Sequence, residues 1–341
     1  MAPLNFSVLD LCPVPSDLTP GEALNNSIAL AQEADALGYH RYWLAEHHNM
    51  AMLACSVPEL LIARIAAATP RIRVGAGGIM LPNHSALHVA ETFRVLEAMT
   101  PGRIDLGLGR APGTDGRTAL ALRRGAAEGE DDFLAQLSDL VGYFNDALPQ
   151  GHRFERVAAA PTGVDMPPIW ILGTSYFGAQ VAAINGFGFA FAHHITPEPA
   201  VEAMRIYRSQ FKPSQFGDAP RAILSLHVLC ADSQDEADEL ARIGDTALIH
   251  VISGRTRARF PTRAEALAYN FSLEEDRHRP TRAGRIKAGT PDILRDYILE
   301  LAQTTQADEI MITSMIGEHQ ARVKSYRLLA DALEIERFAE A

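Results

Sequence analysis

The chain predicts an α/β fold of the closed (β/α)8 TIM-barrel type, with insertions after strands four and seven. Eight short apolar runs have strand length, helix-period segments lie between them, and no linker divides the series. In the first half the strands recur about every 30 residues, as in a βα-repeat. Strands separated by helices imply parallel neighbours, because a parallel partner needs a crossover of a dozen or more residues. An open doubly wound sheet is the alternative; against it, the first strand lacks a Gly-x-Gly-x-x-Gly turn.

Leu4 to Asp10 reads as the first strand, and Gly21 to Leu37 as a helix stopped by Gly38. Tyr39 to Ala45 is the second strand, followed by the helix Pro58 to Ala68. Ile72 to Gly78 and the helix Ala86 to Met99 form the third unit, and Arg103 to Gly109 is the fourth strand. A helix runs from about Asp131 to Ala147. Pro168 to Gly173, Phe187 to Ala192, Ala222 to Cys230 and Glu309 to Ser314 are the remaining strands.

Two stretches break this rhythm. Ala111 to Gly129 is rich in Gly and Arg, and Ser253 to Gly289 combines many Arg residues with the apolar Tyr269-Asn270-Phe271. Long loops in compact domains are uncommon and usually functional. Residues 253–289 are read as a mobile lid over the barrel mouth, with a passive surface insertion as the alternative.

With 341 residues, the chain is expected to form one barrel domain over 1–341 with a core large enough to need no disulfide or metal. Composition is that of a soluble protein, at 47% hydrophobic and 21% charged. The 31 basic and 42 acidic residues give a net charge of −11, with no basic block, so neither nucleic acid nor an anionic membrane is an expected partner. Cys12, Cys55 and Cys230 have no metal-ligand spacing and are expected as reduced thiols. No signal segment and no membrane-length apolar run is present, so the expected location is cytoplasmic.

Four constellations carry the chemistry. Glu46-His47-His48 follow the second strand, where βα loops build the mouth of a barrel, and histidine exchanges protons near neutral pH. Adjacent side chains on extended backbone point to opposite faces, so one of the two imidazoles is expected to face the site. At the end of the third strand, Gly75, Gly77 and Gly78 remove side chains where a flat ligand or another backbone must come close. Arg110, after the fourth strand, suits a phosphate or carboxylate, or a surface ion pair. Thr174-Ser175-Tyr176 lies where the fifth strand turns into a helix; Thr174 and Ser175 read either as caps or as part of an anion site.

Taken together, Tyr42-Trp-Leu-Ala-Glu-His-His48, Val74-Gly-Ala-Gly-Gly-Ile-Met-Leu-Pro82, Gly107-Leu-Gly-Arg110 and Gly289-Thr-Pro291 resemble the bacterial luciferase-like flavin monooxygenases. The resemblance runs from Phe6 to the C-terminal helix around Tyr326 to Leu333, and is close to a subgroup without an assigned physiological substrate. It implies a barrel that binds reduced FMN, supplied by a separate NAD(P)H:flavin reductase. With O2, such a barrel oxygenates a small organic substrate through a flavin C4a-hydroperoxide.

Residue by residue, the resemblance implies that His47 is the catalytic histidine and Glu46 its neighbouring acid. Gly77-Gly78 matches the position of a non-proline cis peptide beneath the flavin ring, and Arg110 with Thr174, Ser175 and Tyr176 matches the flavin phosphate site. Gly109 stands where the luciferase α subunit has a reactive cysteine, so light emission is not expected. His193-His194, past the sixth strand, have no role assigned by the match. The resemblance also implies a homodimer paired through helices near the N-terminal half; the Pro58 to Ala68 helix, with Leu60, Leu61, Ile62 and Ile65, can pack on a partner or equally on its own barrel. The alternatives are a deazaflavin (F420) hydride-transfer oxidoreductase and a non-catalytic flavin-binding protein.

Overall fold

The computed structural model describes residues 4–123, 130–255 and 257–337. Its strands are β1 Asn5–Asp10, β2 Arg41–Leu44, β3 Arg73–Met80, β4 Ile104–Gly109, β5 Ile169–Gly173, β6 Gly188–Ala192, β7 Ala222–Cys230, β8 Lys287–Gly289 and β9 Glu309–Thr313. Pairing runs in parallel from β1 to β7 in order, and β9 joins β7 to β1. The sheet therefore closes on itself through eight strands, and the open-sheet alternative is eliminated. Short β8 stands outside the ring, paired to the end of β7 through Val228, Leu229 and Cys230.

The helices are α1 Pro20–Ala36, α2 Pro58–Ala68, α3 Ala86–Met99, α4 Gly116–Arg123, α5 Glu130–Phe144, α6 Tyr176–Asn185, α7 Ala200–Gln210, α8 Gln234–Ile252, α9 Arg263–Ala268, α10 Leu273–Arg277, α11 Pro291–Thr305 and α12 His319–Ala332. Local chemistry fixes several ends. Thr19 and Glu22 form a capping box before α1, with Pro20 in its first turn, and Gly186 at φ 73° closes α6.

Alternation along the strands sorts the core into shells. Leu9, Trp43, Ala45, Trp170, Ala190, Ile223 and Met311 fill the barrel interior. At the amino ends of the strands the interior is ionic: Arg41 bonds Asp105 at 2.8 Å and Glu309 at 3.0 Å, and Trp43 donates to Asp105 at 3.2 Å. This buried network plugs the floor and leaves the carboxyl end as the open mouth.

Both insertions contain regular structure. The Ala111 to Gly129 stretch carries α4, and its residues 124–129 lie outside the described residues. The 253–289 stretch carries α9, α10 and β8 rather than plain loop. Phe260, fully buried, is tied to the loop after β1: its N–H donates to the Val14 carbonyl at 3.0 Å, and its carbonyl accepts from the Ser16 N–H at 3.0 Å. Buried Asp245 on α8 accepts from Arg279 at 2.8 Å and from the Thr281 hydroxyl at 2.7 Å.

Candidate active site

Past Leu44, the end of β2, the chain turns over the barrel mouth as Ala45, Glu46, His47 and His48. Glu46 is fully buried, and its carboxylate accepts from His48 Nε2 at 2.7 Å, His84 Nε2 at 3.0 Å and the Met80 N–H at 2.8 Å. Burial alone would raise its pKa, but the bonds and charge of its partners hold it below the usual carboxylate value. Burial likewise works against the His84 imidazolium, and Glu46 outweighs it, so His84 titrates above its ordinary value. The resemblance makes Glu46 an acid beside the catalytic histidine; its oxygens are in fact taken up in joining β2 to the turn after β3.

His47 is held differently. Its N–H donates to the Cys55 carbonyl at 2.9 Å, while its ring Nδ1 is buried without a hydrogen-bond partner. Burial lowers its pKa, so the ring is neutral at pH 7. It lines a cavity of about 380 Å3 at the mouth, together with Asn49, Met50, Leu53, Ser56 and Arg257.

Two more imidazoles stand deeper. His194, just past β6, has Nδ1 at 3.2 Å from the Ser225 carbonyl, which requires a proton on that nitrogen. His227 on β7 accepts from the Met315 N–H at 3.3 Å through Nε2. Burial pushes His194 down to about 4 and His227 down to about 3. Ser225 and His227 share strand parity with Ile223 of the barrel interior, and the hydroxyls of Ser225 and Thr313 are buried without partners. The sequence reading leaves His194 without a role and passes over His227. The signal was present, since Ser225 and His227 are polar at alternate positions of the otherwise apolar run Ala222 to Cys230.

On the β4–β5 side, the Arg110 guanidinium carbon lies 4.4 Å from the ring centre of Phe177 in the first turn of α6. Ser175 occupies the N-cap of α6 by backbone geometry, but its hydroxyl makes no capping bond. Ser175 and Tyr176 are exposed and Thr174 is half-buried. Residues more than sixty positions apart thus meet at one helix N-terminus.

The Gly77-Gly78 peptide is cis. A Cβ on Gly78 would lie 2.7 Å from the Gly107 carbonyl oxygen, and one on Gly77 would lie 2.8 Å from Leu9 Cδ1. The space beside these glycines is taken by a neighbouring backbone at Gly78 and by the packed barrel interior at Gly77. Among the described residues, no group of three or more His, Cys, Asp or Glu could hold a metal ion. The three cysteines are buried free thiols, and no described helix is long and apolar enough to cross a membrane.

The luciferase-like monooxygenase family model matches residues 4–309. A luciferase-like monooxygenase of Escherichia coli K12 is 39% identical over 96% of this chain and 97% of its own. The N-acetyl-S-alkylcysteine monooxygenase of Bacillus subtilis is 32% identical over 97% of this chain and 98% of its own. Among solved structures, apo-MsnO8 superimposes with a TM-score of 0.89 at 38% identity, covering 98% of this chain and all of that one. Two remoter structures share the fold alone over 97% of this chain. They are the oxygenating constituent of 3,6-diketocamphane monooxygenase with FMN (17% identity, 98% of its chain, TM-score 0.71) and an F420-dependent secondary alcohol dehydrogenase (13%, 99%, 0.69). The chain belongs to the luciferase-like monooxygenase family and is an oxidoreductase of the monooxygenase class.

Proposed function

We propose that this protein binds reduced FMN, delivered by a separate NAD(P)H:flavin reductase, and uses O2 to oxygenate a small organic substrate. The observation that carries the reading is the pairing of two features at one mouth. A neutral histidine has a buried, unpartnered ring nitrogen, and an arginine meets an uncapped helix N-terminus on another side.

The residues present fit such a cofactor. Arg110, Thr174, Ser175 and the first N–H groups of α6 would hold its phosphate, because free amide donors and the positive end of the helix dipole favour an anion there. The β3 backbone at Gly77-Gly78 would support the ring. Reduced flavin would supply the electrons that activate O2, which leaves orientation, water exclusion and proton control to the protein.

His47 is the group placed to hold or move a proton at Nδ1, since it is neutral at pH 7 and commits that nitrogen to no protein partner. Glu46 would act through position, fixing the backbone that carries His47. The 253–289 segment would act as a lid that closes the mouth against water.

The test is spectral titration of purified protein with oxidised FMN, reduced FMN and deazaflavin, followed by oxygen uptake with a reductase present. Reduced FMN binding with oxygen consumption is the expected result. Preference for deazaflavin without oxygen uptake would turn the reading into hydride transfer. Flavin binding with no change in flavin oxidation would leave a binding protein.

A further inference from the structure

The mouth cavity holds one feature that oxygen chemistry does not need. Its lining is apolar at Met50 and Leu53, neutral and polar at Asn49, Ser56 and His47, and cationic at Arg257, with no acidic residue. Its volume, about 380 Å3, falls in the range of small-molecule sites.

Arg257 differs from five arginines near it, and from Arg277 and Arg285 by its place in the cavity lining. Arg255 pairs with Glu275, Arg263 with Glu239, Arg279 with Asp245 and Arg282 with Asp276. Arg259 donates to the Leu18 carbonyl. Among the described residues Arg257 makes no hydrogen bond or ion pair. In a chain of net charge −11, an arginine left without an acidic partner beside the candidate proton-handling histidine calls for an explanation. The bonds of Phe260 to Val14 and Ser16 hold its segment beside the loop after β1, whereas Arg110 follows β4.

We propose that Arg257 binds a carboxylate on the substrate, so that the physiological substrate is a small amphipathic acid. Its apolar body would lie on Met50 and Leu53, with the atom to be oxygenated turned toward His47. The planar guanidinium fork matches a carboxylate through two parallel bonds, which an ammonium group does not reproduce. This inference rests on the reading of the His47 cavity as the reaction site.

The full-length protein, with and without oxidised FMN, is titrated with hexanoate and with hexanamide, and the His47 ring and arginine Nε–H resonances are followed by NMR. Hexanoate binds roughly tenfold tighter than hexanamide, a moderate preference because Arg257 is exposed and its bonds compete with water. Arg257→Gln removes that preference by weakening hexanoate alone, and Arg257→Lys leaves an intermediate one. The proposal is overturned if the wild type fails to bind hexanoate more tightly than hexanamide or if Arg257→Gln keeps the preference. Equal weakening of FMN and hexanoate by Arg257→Gln also overturns it, since Arg257 would then belong to the cofactor.

FMN binding, read by flavin fluorescence in the same samples, separates this inference from the reading beneath it. FMN bound without a carboxylate preference overturns the substrate class alone. A preference that Arg257 controls, in a protein that does not bind FMN, overturns the cofactor alone and leaves the acid-binding site standing.

Discussion

Glu46 and His84 meet with Nε2 at 3.0 Å from each carboxylate oxygen, and this contact joins the end of β2 to the turn that follows β3. Each partner shifts the other toward its charged form against the effect of burial. The contact is therefore an ion pair whenever His84 is protonated, and its stabilisation is present below the ordinary histidine pKa of about 6.5 and lost as pH rises through the raised value of His84. Glu46→Gln removes the charge that supports the imidazolium. The His84 resonance should then titrate lower than in the wild type, because burial is opposed only by the remaining charge of Glu59. Stability should fall by about 1–3 kcal/mol, the usual cost of leaving a buried polar partner unsatisfied. An unchanged His84 titration would show that the carboxylate does not control it.

Arg110 and the start of α6 carry the second prediction. Charge-assisted hydrogen bonds contribute roughly 1.5–3 kcal/mol each, so Arg110→Ala should weaken FMN binding about tenfold or more. Riboflavin has no phosphate and should be nearly indifferent. Parallel titrations with the two ligands check this, and equal losses would remove the phosphate from this corner of the mouth.

Acid sensitivity follows from the buried imidazoles. His47, His194 and His227 all have pKa values lowered by burial, to about 4 for His194 and about 3 for His227. A histidine of this kind contributes stability that is fully present above the unfolded pKa of about 6.5 and is lost as pH falls toward the folded value. Denaturant midpoints should therefore fall steadily from pH 6.5 toward 4, in a window above most carboxylate titrations. His194→Gln should make that limb shallower by about 1.4 kcal/mol per pH unit, the slope of one proton. An equally steep limb in the variant would mean that His194 is already solvated.

The barrel was legible in the sequence because each strand is an apolar run of the right length between helix-period segments. All eight barrel strands fall where that pattern puts them; β3 runs on past Gly78 to Met80. The site was less legible. Glu46 and His47 stand out as a cluster in sequence, but their different tasks depend on partners as distant as Met80 and His84, which no local pattern reveals. Gly78 illustrates the same limit. The sequence shows that something must come close, and only the register of β3 against β4 shows that it is the Gly107 carbonyl. Arg257 is one of many arginines in its segment, and only its place in the cavity lining together with its lack of a partner singles it out.

Assembly gives a fourth prediction. In α2, Leu61, Ile62 and Ile65 pack into the chain's own core, while Leu60 is 72% exposed. Val95 and Met99 on the neighbouring α3 are exposed as well. We propose that this apolar surface pairs two copies of the chain. Light scattering at micromolar concentration should give the mass of a dimer for the wild type and of a monomer for Leu60→Glu, which places a charge in the contact. A monomeric wild type would exclude the pairing.

The test of His47 separates proton handling from binding. Its Nδ1 is buried, unpartnered and neutral at pH 7, so replacing the ring removes no protein hydrogen bond at that atom. His47→Ala should therefore keep the fold and bind reduced FMN nearly as well as the wild type. If the ring manages the proton during oxygenation, product formation should fall by about 10²–10⁴-fold, the usual contribution of a general acid or base. NADH oxidation by the partner reductase should continue, with the electrons appearing as hydrogen peroxide, because cofactor binding and oxygen reduction do not require this proton transfer. The ratio of peroxide released to NADH consumed can be followed before any substrate is identified. If that ratio and the product yield both match the wild type, His47 is a structural histidine.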